Sequence, residues 1–160
     1  SIALYQENLP LAGVVNHISS GEIYTATAGG GAFCNGKALQ VSKTKELSKS
    51  LLATGFPYTH DQIWSRNMEH FKLLTDRTQG VRRAGAAALD FCHVARGWLD
   101  GFWEYQLGAW DMAAGVLIVE EAGGRVSKMN DESFVLMERE VVASNGLIHQ
   151  ELLEHLNREP

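Results

Sequence analysis

The pattern of apolar residues changes near residue 50, and this change constrains the fold more than any other feature of the sequence. Before it, residues 11–43 alternate apolar and polar side chains around glycine-rich turns, which is typical of antiparallel strands and hairpins. After it, segments of strand length alternate with segments of helical periodicity, which is typical of an α/β arrangement. The sequence therefore predicts an α/β fold, layered as an α+β sandwich, that divides into residues 1–50 and 51–160.

Four helices are predicted in the second part, at residues 61–75, 85–97, 111–122 and 149–158. Thr59 or Asp61 is available to cap the first of them. The predicted strands between and after these helices cover residues 51–56, 80–83, 100–105, 125–128 and 140–145.

Two glycine-containing segments in the first part are interpreted as turns. Asn35 and Gly36 form a dipeptide that is typical of a two-residue hairpin. The triplet Gly29–Gly31 is followed by AFCNGKAL, whereas a phosphate-binding loop continues into Gly-Lys-Ser/Thr and a helix. A tight turn or bulge between strands is therefore the favoured interpretation of the triplet.

Composition excludes several classes of protein. The chain of 160 residues has a net charge of -5, and Arg82 and Arg83 are its only adjacent basic pair, so a nucleic-acid partner is not expected. We expect no membrane partner either, because no apolar run approaches the ~18 residues of a membrane span. The two cysteines, Cys34 and Cys92, are too few for a zinc cluster and are predicted as buried residues in a reducing compartment. The six histidines show no metal-binding spacing.

Residues 103–124 carry the most informative chemistry, because two acids lie at the ends of a short connection between a predicted strand and helix. Such connections are where α/β folds build sites. Asp111, at the opening of the helix, is placed to hold a divalent cation or a substrate hydroxyl. Its position fits an N-cap equally well, since aspartate at an N-cap stabilises a helix without any catalytic role.

Glu104 lies between Trp103 and Tyr105 in an otherwise apolar strand, where a carboxylate needs a partner if it is buried. That partner is either the hydroxyl of a bound polyol, or Arg82, Arg83 or solvent on the outer face of the sheet. Glu120 and Glu121, in the last turn of the helix, are predicted to be solvated or paired rather than ligands.

The segment WDMAAGVLIVEEAGG, residues 110–124, closely resembles the C-terminal signature of the inositol monophosphatase family. Upstream segments agree with that resemblance, namely TATAGGGAFCNGKALQVS, LLATGFPY and RRAGAAALDFCHVARGWLDGFWEY. The resemblance covers essentially the whole chain. Bacterial and plastid members are the most similar, especially to MEHFKLLTDRTQGVRRAGAAALD.

The resemblance implies an alternately layered phosphatase in which Mg²⁺ polarises the phosphate and activates a water for in-line attack, without a covalent enzyme intermediate. It also implies roles for particular residues. Asp111 is implied to ligate a metal and approach the leaving oxygen, and Glu104 to bind substrate hydroxyls. The turn formed by Gly85, Ala86 and Ala87 is implied to contribute backbone contacts to the polyol.

The chain also departs from the family pattern. The motif DPxDGT[TS]N, which supplies two further metal-binding aspartates, is absent, as is the upstream glutamate ligand. We therefore expect a truncated protein, with residues 1–50 as the remaining antiparallel strands of a metal-binding domain and 51–160 as the C-terminal α/β domain. Some relatives carry histidine where this chain has Gly108, which leaves substrate preference open.

The leading functional hypothesis is a magnesium-dependent phosphatase of inositol monophosphate or a similar small polyol phosphate, which acts as a homodimer in the cytoplasm or, in a plant, the plastid stroma. Histidinol phosphate, a sugar 1-phosphate, fructose bisphosphate and a 3′-phosphonucleotide remain open as substrates. The alternative from another class is a non-catalytic binding or oligomerising module that keeps the fold without a complete metal site.

Overall fold

The computed structural model describes residues 1–158 and contains two five-stranded sheets and four α-helices. None of the helices within that range is long and apolar enough to cross a membrane. This mixed α/β architecture confirms the fold class that the sequence predicts.

The first sheet is an antiparallel meander in which each strand pairs with the next one in the chain. A turn at Asn35 and Gly36, both with positive φ (48° and 76°), joins its last two strands, as predicted for this dipeptide. Gly29 and Gly30 of the glycine triplet also lie in a turn, between the third and fourth strands, and Gly31 begins the fourth strand. The strands are β1 (Ile2–Gln6), β2 (Leu9–His17), β3 (Glu22–Thr27), β4 (Gly31–Cys34) and β5 (Lys37–Ala38).

The second sheet is mixed, with the order β7-β6-β8-β10-β9. Its strands are β6 (Leu51–Thr54), β7 (Gly80–Arg82), β8 (Gly101–Tyr105), β9 (Arg125–Ser127) and β10 (Glu140–Ser144). The strand β6 runs parallel to both β7 and β8, whereas β10 is antiparallel to its neighbours β8 and β9. The carboxyl ends of β7, β6 and β8 therefore meet at one edge of the sheet.

The four helices are α1 (Gln62–Arg77), α2 (Ala87–Ala95), α3 (Ala109–Glu121) and α4 (His149–Leu156). Asp61 caps α1, because its side chain accepts hydrogen bonds from the N–H groups of Ile63 and Trp64. Two predicted helix starts are wrong by two residues. The helix α2 begins at Ala87 rather than Gly85, and α3 begins at Ala109 rather than Asp111.

The elements stack in four layers, in the order first sheet, α2 with α3, second sheet, and α1 with α4. Alternation along β8 explains how the second sheet serves two cores: Phe102 faces α2 and α3, whereas Trp103 faces α1 and α4. Buried residues from both sheets join the core around α3. Because this core is shared by residues from both parts of the chain, the division into domains at 1–50 and 51–160 stays a prediction.

The helix α3 is apolar on all sides because it packs against α2 and both sheets. Its close contact with α2 depends on Gly115, where an added Cβ would lie 2.5 Å from Cγ of Phe91. Its contact with the first sheet is equally tight, since a Cβ on Gly13 would lie 3.0 Å from the backbone of Ala114. Gly115 thus sets the distance between α3 and α2 within their layer, and Gly13 sets the distance between α3 and the first sheet.

We expect Gly115→Ala to lower the free energy of unfolding. The gain in helix propensity is about 1 kcal/mol, but overpacking against the buried Phe91 ring costs about 1–3 kcal/mol. Urea unfolding followed by circular dichroism measures the difference. The loss caused by Gly115→Ala should be smaller in a Phe91→Leu background than in the wild type, and an equal loss in both backgrounds would mean that the steric contact is not the cause.

Candidate functional site

A cavity of about 390 Å³ opens at the edge of the second sheet where three parallel strands end. In open α/β sheets, ligands bind outside the carboxyl ends of the strands. The walls come from the segments that follow β6, β7 and β8 and from the starts of α2 and α3, and include Gly55, Arg83, Gly85, Ala86, Ala87, Asp90, Glu104, Asp111 and Arg139. All five residues that the sequence singled out therefore line one cavity.

The start of α2 forms the backbone wall of the cavity. Gly85 has a φ of 88°, which favours glycine, and turns the chain so that Ala86 becomes the N-cap. The first N–H groups of a helix have no partner within it, and the helix dipole adds partial positive charge there. The predicted backbone contacts at Gly85, Ala86 and Ala87 thus have a physical basis, although Gly85 precedes the helix rather than opening it.

Asp111 lies in the first turn of α3 and faces the same cavity. Its Oδ2 accepts a hydrogen bond of 2.9 Å from the backbone N–H of Gly108. The interpretation of Asp111 as an N-cap is wrong, because Gly108 is the N-cap and Asp111 is the third helical residue. Within residues 1–158, its second oxygen, Oδ1, accepts no hydrogen bond and remains available to a ligand.

Glu104 points into the cavity from β8, on the same face of the sheet as Phe102. Its carboxylate occupies the space beside Gly55, where an added Cβ would lie 2.1 Å from Oε1. Burial, followed by the nearby charges of Asp90 and Asp111, raises the pKa of Glu104 to about 8, and Arg83 opposes that shift. In the part of the chain that the structure describes, Glu104 forms no salt bridge or hydrogen bond with Arg82 or Arg83, so Arg83 acts on it only as a nearby charge.

Asp90 is a site residue that the sequence analysis missed. It lies in the second turn of α2, is 1% exposed and lines the cavity. Its Oδ1 is buried without a hydrogen-bond partner. Burial raises the pKa of Asp90 to about 7. The available signal was an acid in the otherwise apolar segment AALDFCHVA, three residues after Ala87.

The loop between Glu104 and Asp111 is held in place by two polar side chains. Arg139 donates from Nη2 to the carbonyl of Gln106 at 2.8 Å and from Nε to the carbonyl of Leu107 at 3.1 Å. Asp61 accepts a hydrogen bond of 3.0 Å from Nε2 of Gln106, whose φ is 61°. These contacts hold the loop that sets the distance between Glu104 and Asp111.

Gly108 itself is covered by an exposed tryptophan. A Cβ at this position would lie 2.5 Å from the indole ring of Trp110, whose side chain is 74% exposed. Any residue with a side chain at position 108 therefore requires the Trp110 ring to move.

The acids of the cavity provide only part of a metal site. No group of three or more His, Cys, Asp or Glu side chains within residues 1–158 is placed to hold a metal ion. Magnesium needs several oxygen ligands, and the free Oδ1 of Asp111 can supply one of them. The described residues therefore fit Mg²⁺ in that Asp111 can supply one of its ligands. The other oxygen ligands would have to come from groups outside this set.

Two other predictions about individual residues are confirmed. Glu121 is paired, because its two carboxylate oxygens accept hydrogen bonds of 2.7 Å from the N–H groups of Gly29 and Gly31. Cys34 and Cys92 are both buried free thiols, and burial raises the pKa of Cys92. These cysteines contribute to packing in the core around α3.

Comparison with known proteins gives consistent matches over the whole chain. The family model described as the inositol monophosphatase family matches residues 1–160. Phosphatase IMPL1 of Arabidopsis thaliana, which is chloroplastic, is 52% identical over 158 residues, which cover 96% of this chain and 43% of that protein. An inositol-1-monophosphatase of Synechocystis is 45% identical over 160 residues, which cover 100% of this chain and 56% of that protein.

A solved structure agrees with both sequence matches. The inositol monophosphatase from Anabaena superposes with a TM-score of 0.85 at 41% identity, over 94% of this chain and 60% of that chain. The predicted resemblance, with bacterial and plastid members, is confirmed. The chain spans about half the length of the curated relatives it matches.

We expect Asp90→Asn to flatten the dependence of stability on pH. An unfolded aspartate has a pKa of about 3.9, whereas Asp90 in the folded chain has a pKa of about 7. The stability that Asp90 contributes is therefore complete below the unfolded value and is lost as pH rises through 7. Urea unfolding at pH 5 and pH 8 should show a smaller loss of stability for Asp90→Asn than for the wild type.

Asp76→Asn serves as the matched control, because Asp76 is exposed near the end of α1. This variant should keep the wild-type difference between the two pH values. If Asp90→Asn also keeps it, Asp90 is not protonated in the folded protein at neutral pH.

Proposed function

This chain belongs to the inositol monophosphatase family, and from that premise we propose that the protein hydrolyses the phosphate monoester of inositol or a similar small polyol. The observation that carries the proposal is the meeting of Glu104, Asp111 and the start of α2 at one cavity. A site for a phosphorylated polyol needs one carboxylate that binds the hydroxyl groups and another that binds the cation beside the phosphate. Glu104 and Asp111 can supply these two carboxylates. The chain itself is proposed as one part of the complete site.

The cavity offers different chemistry to the two ends of such a substrate. Glu104 can accept hydrogen bonds from polyol hydroxyls, and the N–H groups at Ala86 and Ala87 can donate to the polyol oxygens. Asp111 lies across the cavity at the start of α3, so we assign the phosphate-bearing oxygen to its side. The polyol then lies between the two helix starts.

We propose Mg²⁺ as the cofactor, with Asp111 Oδ1 as one of its ligands. When bound, the metal polarises the phosphate and supplies an activated water. Asp111 is well suited to contribute, because the N–H of Gly108 holds Oδ2 and leaves Oδ1 directed by the rigid first turn of the helix. Glu104 holds the other end of the substrate in place.

Assembly as a homodimer and a location in the cytoplasm or the plastid stroma remain predictions from the family resemblance. The chloroplastic relative from Arabidopsis thaliana supports the plastid alternative. Histidinol phosphate, a sugar 1-phosphate, fructose bisphosphate and a 3′-phosphonucleotide remain substrates to be tested beside inositol 1-phosphate.

The experiment compares phosphate release from inositol 1-phosphate by this chain and by an extended version, in which the DPxDGT-containing segment of a relative precedes Ser1. We expect activity in the extended protein alone, and only with Mg²⁺. In that protein, Asp111→Asn should lower kcat/KM at least about 100-fold, because the substitution removes a charge that acts on the transition state. Glu104→Gln should raise KM about ten-fold with a smaller effect on kcat.

Asp76→Asn in the extended protein is the matched control for both substitutions and should leave the kinetics unchanged. A folded extended protein that is inert toward inositol 1-phosphate and the other four phosphate classes would defeat the proposal. That outcome would support the alternative of a non-catalytic binding or oligomerising module.

A further inference from the structure

Asp90 has no role in the function proposed above, yet its surroundings are unusual for a carboxyl group. Helix side chains point toward the helix N-terminus, so the side chain of Asp90 is directed toward the turn at Gly85–Ala87. It is almost completely buried, at 1% exposure, and still lines the cavity. The position places it directly beneath the backbone wall that the polyol is proposed to contact.

The hydrogen-bonding capacity of Asp90 is not used by the protein. Its buried Oδ1 lacks any partner, and within residues 1–158 neither carboxyl oxygen forms a hydrogen bond or salt bridge. Leaving such a group unsatisfied destabilises a fold, so buried polar groups without partners point to a missing ligand. A phosphate is an unsuitable ligand, because Asp90 and the neighbouring Glu104 would repel its charge.

We propose that Asp90 is a further specificity-determining residue, whose carboxyl group donates a hydrogen bond to the same polyol hydroxyl that donates to Glu104. The inference rests on the proposed function, because it names a second contact to the proposed polyol. The charge of Asp90 contributes to raising the pKa of Glu104, and the two side chains form no direct hydrogen bond within residues 1–158. Both line the same cavity, so one small group bound there can contact both.

A hydroxyl group is that bridge, because it accepts one hydrogen bond and donates another. Asp90 supplies the donor, since burial raises its pKa to about 7 and no cation contacts it in the described part of the chain. Glu104 supplies the acceptor, since its carboxyl group keeps an oxygen that accepts a hydrogen bond whether or not it is protonated. Two acids with opposite hydrogen-bonding roles therefore recognise one hydroxyl, and a substrate without it leaves both unpaired.

The test uses the extended protein and two substrates, inositol 1-phosphate and p-nitrophenyl phosphate, which has no hydroxyl groups on its leaving group. Asp90→Leu keeps the branched shape of the side chain, with the same number of non-hydrogen atoms, and removes the donor. We expect it to raise KM for inositol 1-phosphate about ten-fold, to change kcat less, and to leave kcat/KM for p-nitrophenyl phosphate within about two-fold. Asp90→Asn keeps an N–H donor and should retain most of the affinity for inositol 1-phosphate.

A double-variant cycle tests whether one hydroxyl is shared. The losses caused by Asp90→Leu and Glu104→Gln should be less than additive when combined, because either substitution already disrupts the same bridge. Fully additive losses would overturn the proposal that Asp90 and Glu104 contact the same hydroxyl. Equal losses for the two substrates, or no loss for inositol 1-phosphate, would overturn the role of Asp90. Asp90→Val replaces Asp90→Leu if the leucine variant does not fold.

A second readout separates this inference from the proposed function. If the extended protein hydrolyses no phosphomonoester, the proposed function fails, and Asp90 is then tested by ligand-observed NMR with free myo-inositol. Weaker binding of myo-inositol to Asp90→Leu than to the wild type and Asp90→Asn would support the polyol contact. Absence of myo-inositol binding to the wild type, or equal binding to all three proteins, would overturn it.

Discussion

The burial of α3 between two sheets is the constraint on which the rest of the structure depends. A helix that is apolar on every side needs cover on every side, and this one obtains it from α2 and from a sheet on each side. Gly115 allows α3 to approach α2 closely, and Gly13 allows the first sheet to approach α3. The glycine turn at residues 29–31 then holds the far end of the helix through Glu121. Asp111 is consequently fixed by the most deeply packed element of the chain.

The same packing determines the electrostatics of the cavity. The helices α2 and α3 both begin at the carboxyl edge of the second sheet, so two helix starts and three acids share one space. Each acid has a different environment: Asp111 is held by a backbone N–H, Glu104 is influenced by Arg83, and Asp90 is buried without a charge partner. Differences in environment of this kind allow carboxyl groups of one site to serve as ligand, acceptor and donor.

The sequence predicts those parts of the site that are close together in the chain. Glu104 and Asp111 stand out because a polar pair interrupts one apolar strand–loop–helix segment, and the strand pattern likewise reveals the meander and the Asn35–Gly36 hairpin. The start of α3 was misplaced because Gly108 has no capping side chain to mark it. The place of Asp90 in the cavity wall and the contact of Glu104 with Gly55 could not be predicted, since they depend on how segments from β6, α2 and β8 meet in three dimensions.

The contact between Gly55 and Glu104 also has a consequence for how this cavity can evolve. Two positions far apart in the chain share one volume, which either a side chain at 55 or the carboxylate at 104 can occupy. The two positions should therefore covary among related sequences: where glycine is replaced, the acid should be replaced as well. A lineage that gains a side chain at 55 would displace the Glu104 carboxylate from the cavity in a single step.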